Sequence, residues 1–241
     1  MKKTFQISFL FLLSILFIQC TDDEVMPMDE EPSVETLTDI DGNVYQTVVI
    51  GNQTWMVENL KTKTFNDGEA IPEWMFGDSW HNLNNPQVYY QWADTSDLND
   101  EIEEDLPEGF YGALYNEMSL ASGKLAPEGW RIPTAQDFRD LEAFLATDGH
   151  DNTQAIALKS NSGWSMSSGN GTDNYGFNVL PNGYAAAGGT ATGAGIIATL
   201  ATSDIDSEAK TRTVINFFDE PSFSIGDNSW ALGAGVRCIK E

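Results

Sequence analysis

The chain has 241 residues, of which 41% are hydrophobic and 11% aromatic, and this composition supplies one substantial core rather than two. Its 37 acidic and 12 basic residues give a formal net charge of -25. Such an acidic surface repels nucleic-acid phosphates and anionic membranes. We therefore expect no nucleic-acid partner, whereas cations and neutral glycans are compatible with the charge.

The first residues have the order of an export signal. The basic pair Lys2–Lys3 precedes an apolar run, Ile7–Ile18, which is too short for a comfortable membrane span. The chain turns acidic directly after Cys20, which resembles a bacterial lipoprotein signal with Cys20 as the acylated first residue of the mature protein. The resemblance implies a signal peptide over residues 1–19 and a protein held in the outer membrane by acyl chains, exposed at the cell surface.

The segment after the signal separates the acylated cysteine from the folded part of the chain. Residues 20–36 are rich in acidic residues and proline, so we predict a flexible tether, with the folded domain over residues 37–241. If Cys20 carries lipid, Cys238 has no intramolecular partner and should be a buried, inert thiol. A disulfide between Cys20 and Cys238 is the alternative.

Two runs of β-branched and aromatic residues open the domain. They are Val44–Ile50 and Gln53–Val57, and they are separated by the pair Gly51–Asn52. Because such a pair forms a two-residue turn, the pattern predicts a β-hairpin.

The segment from Asn66 to Trp92 is broken by proline and glycine but is rich in aromatic side chains. An irregular excursion of this size needs its own packing or a function. Flat aromatic faces suit sugar rings, so we predict a ligand-binding role for Trp74, Trp80 and Trp92. The alternative interpretation is that these tryptophans pack the long loop onto a sheet.

The sequence gives no regular metal site. The acidic stretch Asp94–Glu108 has no glycine at the sixth position from Asp94, which excludes an EF-hand and favours a solvated loop. The two histidines, His81 and His150, cannot build a three-histidine site, although a mixed histidine and carboxylate site stays open. We predict no metal, no cofactor and no catalytic residue.

The start of a helix is marked at residues 133–137. Pro133 biases the residue before it towards extended dihedrals, and Thr134 then suits the N-cap position. Asp137 follows three residues later, which completes a capping-box signal at the positive end of the helix dipole. We therefore predict that Thr134 is a structural residue.

The helix that follows should be amphipathic, with Phe138, Leu141 and Leu145 on one face and an end near Gly149. A shorter helix is predicted around 116–121. Beyond residue 149 we predict five strands: Phe177–Leu180, Gly183–Ala186, Ile196–Thr202, Val214–Phe218 and Val236–Ile239. The run Gly193–Ala198 has the letters of a dinucleotide fingerprint, but strand-forming residues follow it, so we interpret it as a turn.

Six segments carry a family resemblance: Asp41–Tyr45, Ile50–Leu60, Tyr111–Asn116, Gly129–Thr134, Gly176–Tyr184 and Gly235–Lys240. Together they are similar to the Fibrobacter succinogenes major paralogous domain, which is found in surface proteins and lipoproteins. The similarity spans Leu37 to the C-terminus.

The segment Gly129–Thr134 also resembles the helix start of the formylglycine-generating enzyme superfamily. That resemblance implies an α+β, C-type-lectin-like fold, with a twisted antiparallel sheet, about two short helices and long irregular loops. The terminal strands are paired in such a fold. The oxidase activity of that superfamily needs a cysteine pair, which a lone Cys238 does not supply.

From these observations we expect a non-catalytic, surface-anchored binding module for glycans or another extracellular polymer. One alternative is a structural or adhesive surface protein without a small ligand. Another is a hydrolase that uses carboxylates, because the 37 acidic residues supply many pairs whose separation the sequence does not give.

Overall fold

The computed structural model describes residues 35–95, 106–165 and 169–241. The predicted signal peptide, Cys20, all but the last residues of the tether, and most of the acidic stretch lie outside the described residues. The elements in chain order are β1 (Thr36–Thr38), β2 (Val44–Ile50), β3 (Gln53–Met56), β4 (Tyr90–Trp92), β5 (Ala113–Tyr115), α1 (Glu117–Ala121), β6 (Trp130–Arg131), α2 (Ala135–Leu145), α3 (Gln154–Leu158), β7 (Asn182–Ala185), β8 (Ala191–Ala194), β9 (Ala198–Asp206), β10 (Thr211–Phe217), β11 (Ser224–Ser229) and β12 (Ile239–Lys240).

The first sheet is antiparallel and has the strand order β1-β2-β3-β12-β6. The predicted hairpin is confirmed as β2–β3, and it turns at Gly51, whose φ of +62° favours glycine. In the last strand, Ile239 pairs with both Trp55 and Arg131. The hairpin β2–β3 and the strand β12 therefore meet in one sheet.

The second sheet has the order β11-β10-β9-β7-β8, and a two-stranded sheet joins β4 and β5. The pairing of β7 with β9, through Gly183 and Ala198, is parallel, whereas the other pairs of named strands are antiparallel. These mostly antiparallel sheets, together with the helices of the described residues, confirm the predicted α+β class.

The helix α2 begins with the predicted capping box. The Thr134 hydroxyl accepts from the backbone N–H of Asp137 at 3.1 Å, and the Asp137 carboxylate accepts from the backbone N–H of Thr134 at 2.6 Å. The apolar face is buried through Phe138, Leu141 and Leu145. A π-helical turn, Ala146–His150, ends the helix, and Gly149 within it has a φ of +97°.

Several elements differ from the sequence predictions. The predicted strand Phe177–Leu180 is wrong, because Asn178 has a φ of +53° and only Val179 forms a bridge, to Lys159. The strand β11 was not predicted, since its polar sequence lacks alternation and its formation depends on pairing with β10. The short helix α3 and the strand β8 were missed for the same lack of periodicity.

The core consists of two main groups of buried side chains. One group includes Tyr45, Met56 and Cys238 and lies against the first sheet. The other joins Trp55 to the apolar face of α2 and to the inner face of the second sheet, where Ile215 and Phe217 point towards Phe138 and its neighbours. In the part of the chain that the structure describes, no helix is long and apolar enough to cross a membrane.

Asp137 should make stability depend on pH in the acid range. Burial alone raises the pKa of Asp137, but the Arg131 guanidinium, at 2.6 and 2.8 Å, and the Thr134 cap lower it to about 2. A lowered carboxyl pKa stabilises the fold above the ordinary value of 3.8, and this stabilisation disappears as the pH falls from about 4 to about 2.

We expect Asp137→Asn to lower the free energy of unfolding by about 1 to 2 kcal/mol at pH 6, after allowing for solvent screening. The difference from the wild type should close as the pH falls towards 2 in urea titrations. Asp140→Asn, on the exposed side of the same helix, is the control and should change little. A gap between wild type and Asp137→Asn that stays constant from pH 6 to pH 2 would contradict the assignment.

Candidate functional site

The structure places Trp80 in the interior, which corrects its prediction as a ligand platform. Its side chain is 1% exposed, and its ring stacks on Tyr89 at 6.5 Å and meets the edge of Trp74 at 6.1 Å. A Cβ added to Gly233 would lie 2.3 Å from the Trp80 ring, so the backbone approaches that ring closely. No open face is left for a sugar, and the alternative interpretation as loop packing holds for Trp80.

The other two tryptophans, Trp74 and Trp92, are half-buried and pack against different groups of buried side chains. Trp74 packs with Trp80 and donates its indole N–H to the carbonyl of Asp78 at 3.1 Å. Trp92 contacts Tyr90 at 5.3 Å and lines a cavity of about 390 Å³ together with Phe110. Trp74, Trp80 and Trp92 therefore do not form one binding surface.

The most suitable binding geometry lies on the second sheet, in a cleft of about 620 Å³ that we call the Tyr184 cleft. Side chains alternate along β10, so Ile215 and Phe217 enter the core while Asn216 lies on the opposite side, and Phe218, directly after the strand, also lines the cleft. The lining residues are Tyr184, Ala186, Ala187, Thr192, Gly193, Ile196, Ile197, Thr199, Asn216, Phe218, Asn228, Ser229 and Leu232.

Two glycines allow the β7–β8 hairpin to form one wall of this cleft. Gly183 has a φ of +65°, and a Cβ there would lie 2.2 Å from the carbonyl oxygen of Thr192. Gly193 has a φ of +76°, and its Cβ would lie 2.7 Å from the side chain of Ile197. A larger residue at position 183 would push the hairpin apart, and one at position 193 would displace Ile197, so the sequence around Tyr184 is constrained by these close approaches.

The cleft combines apolar surface with neutral polar groups. Ile196 is 48% exposed and Phe218 is 38% exposed, although both are large hydrophobic residues. Asn216 and Asn228 supply amides, and hydroxyls come from Tyr184 and other lining residues. A mostly apolar pocket with a few polar groups that fix orientation is the usual form of a small-ligand site.

The lining of the Tyr184 cleft contains no Asp, Glu, Lys, Arg or His among the described residues. This neutrality is notable in a chain with a formal charge of -25. A glycosidase needs two carboxyl groups at the scissile bond, and the described lining supplies none. The arrangement is therefore chemically suited to binding rather than to acid and base catalysis.

A second cavity, of about 710 Å³, lies near the start of α2 and is charged. Arg131, Arg212, Glu128 and Glu241 all line it. Arg131 is held by Asp137, whereas Arg212 is buried, and burial lowers its pKa to about 10. The opposed charges make this cavity less suitable for a neutral ligand than the Tyr184 cleft.

The histidines lie outside both cavities. His81 contacts the buried Glu117 through Nδ1 at 2.5 Å, and its ring lies 6.5 Å from that of Trp230. His150 packs against Tyr175 at 5.5 Å. No group of three or more metal-binding side chains occurs within residues 35–95, 106–165 and 169–241. Among the described residues, the histidine and carboxylate that come together are the single pair His81 and Glu117.

Cys238 is fully buried in the first core group, as expected. Burial raises the pKa of its thiol to about 12, so the thiolate is scarce at neutral pH and the residue is unreactive.

The glycine run from Gly193 is a turn between β8 and β9, in which the N–H of Ile197 donates to the carbonyl of Gly193 at 3.0 Å. The interpretation of that run as a turn is confirmed.

Sequence reasoning missed the Tyr184 cleft, although Tyr184 lies within one of the segments that carry the resemblance. Its partners Asn216 and Asn228 come from strands β10 and β11, whose pairing the local sequence does not give. The useful signal was the pair of glycines, Gly183 and Gly193, in an otherwise strand-forming region.

Comparison with known proteins gives one family. A family model described as the Fibrobacter succinogenes major domain matches residues 48–240, which is most of the chain. No curated protein and no solved structure matches.

Proposed function

We propose, from the premise that the chain belongs to the Fibrobacter succinogenes major domain family, that it is a surface-anchored, non-catalytic module that binds neutral glycans. We place the ligand in the Tyr184 cleft of a C-type-lectin-like fold. The cleft's neutrality supports this proposal most directly, since it combines an aromatic ring, amides and hydroxyls with no ionisable acid or base at neutral pH among its described lining residues.

The fold supports the proposal in a second way. The cleft lies on the side of the second sheet opposite to the buried group that contains Ile215 and Phe217, and part of its lining is exposed to solvent. The exposure of Ile196 and Phe218 would otherwise leave apolar surface in water, where it favours association with a ligand.

Replacing Tyr184 with alanine should remove glycan binding while the domain stays folded. We expect the wild type to be retarded by at least one neutral polysaccharide in affinity electrophoresis, and Tyr184→Ala to lose about tenfold or more in affinity, as the ring supplies stacking area. Phe76→Ala is a matched aromatic control, because Phe76 is fully exposed and is not part of the cleft lining. Passage of the wild type unretarded through a broad panel of plant and host glycans would refute the proposal and favour an adhesive structural module.

The proposed anchor is an acylated Cys20. Three sequence features support it: the basic pair at the start of the chain, the apolar run before Cys20 and the acidic residues after it. Stable attachment needs more than one acyl chain, and each buried methylene contributes about 0.8 kcal/mol. We expect labelled palmitate to enter the wild type and Cys20→Ala to move the protein from the membrane fraction to the soluble fraction. Cys238→Ala is the control and should stay in the membrane. Absence of label from the wild-type chain would contradict the anchor.

A further inference from the structure

Two arginines of the described chain are buried, and they differ in how their hydrogen-bond donors are used. Arg237 has all three of its side-chain nitrogens bonded, to the Asn59 amide and to backbone carbonyls. Arg212 is 3% exposed, and its Nη1 donates to the carbonyl of Thr202 at 2.6 Å. Its Nε and Nη2 have no hydrogen-bond partner among the described residues. Arg212 therefore has donors that the described fold leaves unsatisfied.

Arg212 lines the cavity of about 710 Å³ near the start of α2, which we call the Arg212 cavity. Burial lowers the pKa of Arg212 only to about 10, so its guanidinium is charged at neutral pH. No Asp or Glu of the described residues forms an ion pair with it, and Glu117 and Asp204 act on it only from farther away. Its Nε is closed to solvent, whereas Nη2 is not. An anionic oxygen in the cavity would therefore find both an open donor and an unpaired charge.

The solvent side of the Arg212 cavity carries charge of the opposite sign. Glu128 and Glu241 line the cavity and are exposed. They come close in the fold, because the backbone N–H of Glu241 donates at 3.0 Å to the carbonyl of the residue that follows Glu128. Arg131 also lines the cavity, but both of its Nη atoms donate to Asp137. The cavity thus presents a buried cation and exposed carboxylates to one ligand.

Apolar side chains form the remaining wall of the Arg212 cavity. They belong to Leu120, Leu125, Trp130, Ile132 and Ile205. Ile205 is 48% exposed, so a ligand that covers it removes apolar surface from water. A phosphate, with up to two negative charges, is disfavoured by the exposed carboxylates and by the formal charge of -25. A neutral sugar would leave the guanidinium charge unbalanced.

We infer that the Arg212 cavity binds short apolar peptides with free ends, with the carboxylate on Arg212, an apolar side chain against Ile205 and the ammonium group near Glu128 and Glu241. The volume of about 710 Å³ is within the usual range for small-molecule sites. This site shares no lining residue with the Tyr184 cleft, so peptide binding and glycan binding are separate activities.

Isothermal titration with alanyl-leucine and alanyl-leucyl-alanine tests the inference, since the two peptides differ in the separation of their charged ends. We expect at least one of them to bind. Its C-terminal amide should bind about tenfold more weakly, because the amide keeps an acceptor but loses the charge that faces the guanidinium. Its N-acetyl form should lose only about twofold to fivefold, because the carboxylates that face the ammonium group are exposed.

Variants locate the two ends of the peptide. Arg212→Gln keeps an NH₂ donor but loses the charge, so it should weaken binding of the free peptide about tenfold and change binding of the C-terminal amide much less. Glu128→Gln, at an exposed position, should reduce the advantage of the free peptide over its N-acetyl form. Glu220→Gln, exposed and outside the cavity lining, is the matched control and should bind as the wild type does.

A third variant keeps the inference testable if Arg212→Gln does not fold. Ile205 lies half-exposed on β9, so Ile205→Ala should leave the domain folded and weaken the free, amidated and acetylated peptides alike, several-fold each. Unchanged affinities in Ile205→Ala would overturn the placement of the apolar side chain.

The remaining outcomes separate this inference from the proposed function. Equal binding of the free and amidated peptides by the wild type, tighter binding of inorganic phosphate, or no binding of either peptide at millimolar concentration would each overturn the inference. We expect Tyr184→Ala to bind peptide as the wild type does, whereas its loss of peptide binding would place the peptide in the Tyr184 cleft and overturn the assignment to Arg212. Failure of the glycan panel alone would overturn only the proposed function.

Discussion

Replacing Arg237 with alanine should lower the free energy of unfolding by about 4 to 6 kcal/mol, the largest effect that we expect from one substitution. Arg237 is fully buried, yet its hydrogen-bond partners in the described structure are neutral. Its Nε and Nη2 donate to Oδ1 of Asn59 at 3.1 and 3.0 Å, and Nη1 donates to the carbonyl of Phe177. Alanine would leave these acceptors unpaired around a cavity.

The guanidinium also lies over the ring of Phe177, with its central carbon 4.7 Å from the ring centre. Burial lowers the pKa of Arg237 to about 10, so the group stays charged at neutral pH. The site therefore holds a buried cation through a fork of donors and an aromatic face. Lysine lacks that planar fork, and Arg237→Lys should still lose about 2 kcal/mol or more.

Urea denaturation at pH 7 measures these losses, and Arg131→Ala provides the comparison. The Arg131 side chain is 39% exposed and is paired with Asp137, so its removal should cost only about 1 kcal/mol. An Arg237→Ala protein that unfolds within 1 kcal/mol of the wild type would show that the buried network contributes little. Asn59→Ala should destabilise in parallel, because Asn59 links Arg237 to the carbonyl of Tyr111 at 3.0 Å.

The sequence predicted those features that depend on residues close together in the chain. The turn at Gly51 and the cap at Thr134 are encoded within a few positions, and both were predicted correctly. The contact between Asn59 and Arg237 joins residues 178 positions apart, and no local pattern indicates it. Neither residue was singled out for this role, although both lie in segments that carry the family resemblance.

The site was harder to predict than the fold, because it also depends on contacts between residues that are far apart in the sequence. The Tyr184 cleft needs residues from five strands, β7 to β11, and the polar strand β11 forms only because β10 offers it hydrogen bonds. Tryptophans in an irregular segment have the same local sequence whether they are buried or exposed. What distinguished Trp80 was the contact with Gly233, which is 153 positions away in the chain.

Replacing Trp80 with alanine should cost about 3 to 5 kcal/mol of stability, because the ring is 1% exposed and its removal leaves a large cavity between Tyr89, Trp74 and Gly233. Thermal and urea unfolding measure the loss. Phe76→Ala is the control, since a fully exposed ring should contribute less than about 0.5 kcal/mol.

Glycan retention by the same variants distinguishes a core role from a binding role for Trp80. The indole belongs to a buried group with Leu114 and Ala185 and is not part of the lining of the Tyr184 cleft. At a temperature where Trp80→Ala is still folded, we therefore expect it to keep most of the wild-type retention, whereas Tyr184→Ala loses it. A Trp80→Ala protein that melts with the wild type but no longer binds polysaccharide would place the ligand at the aromatic loop instead, because only a solvent-facing ring can be removed without loss of packing.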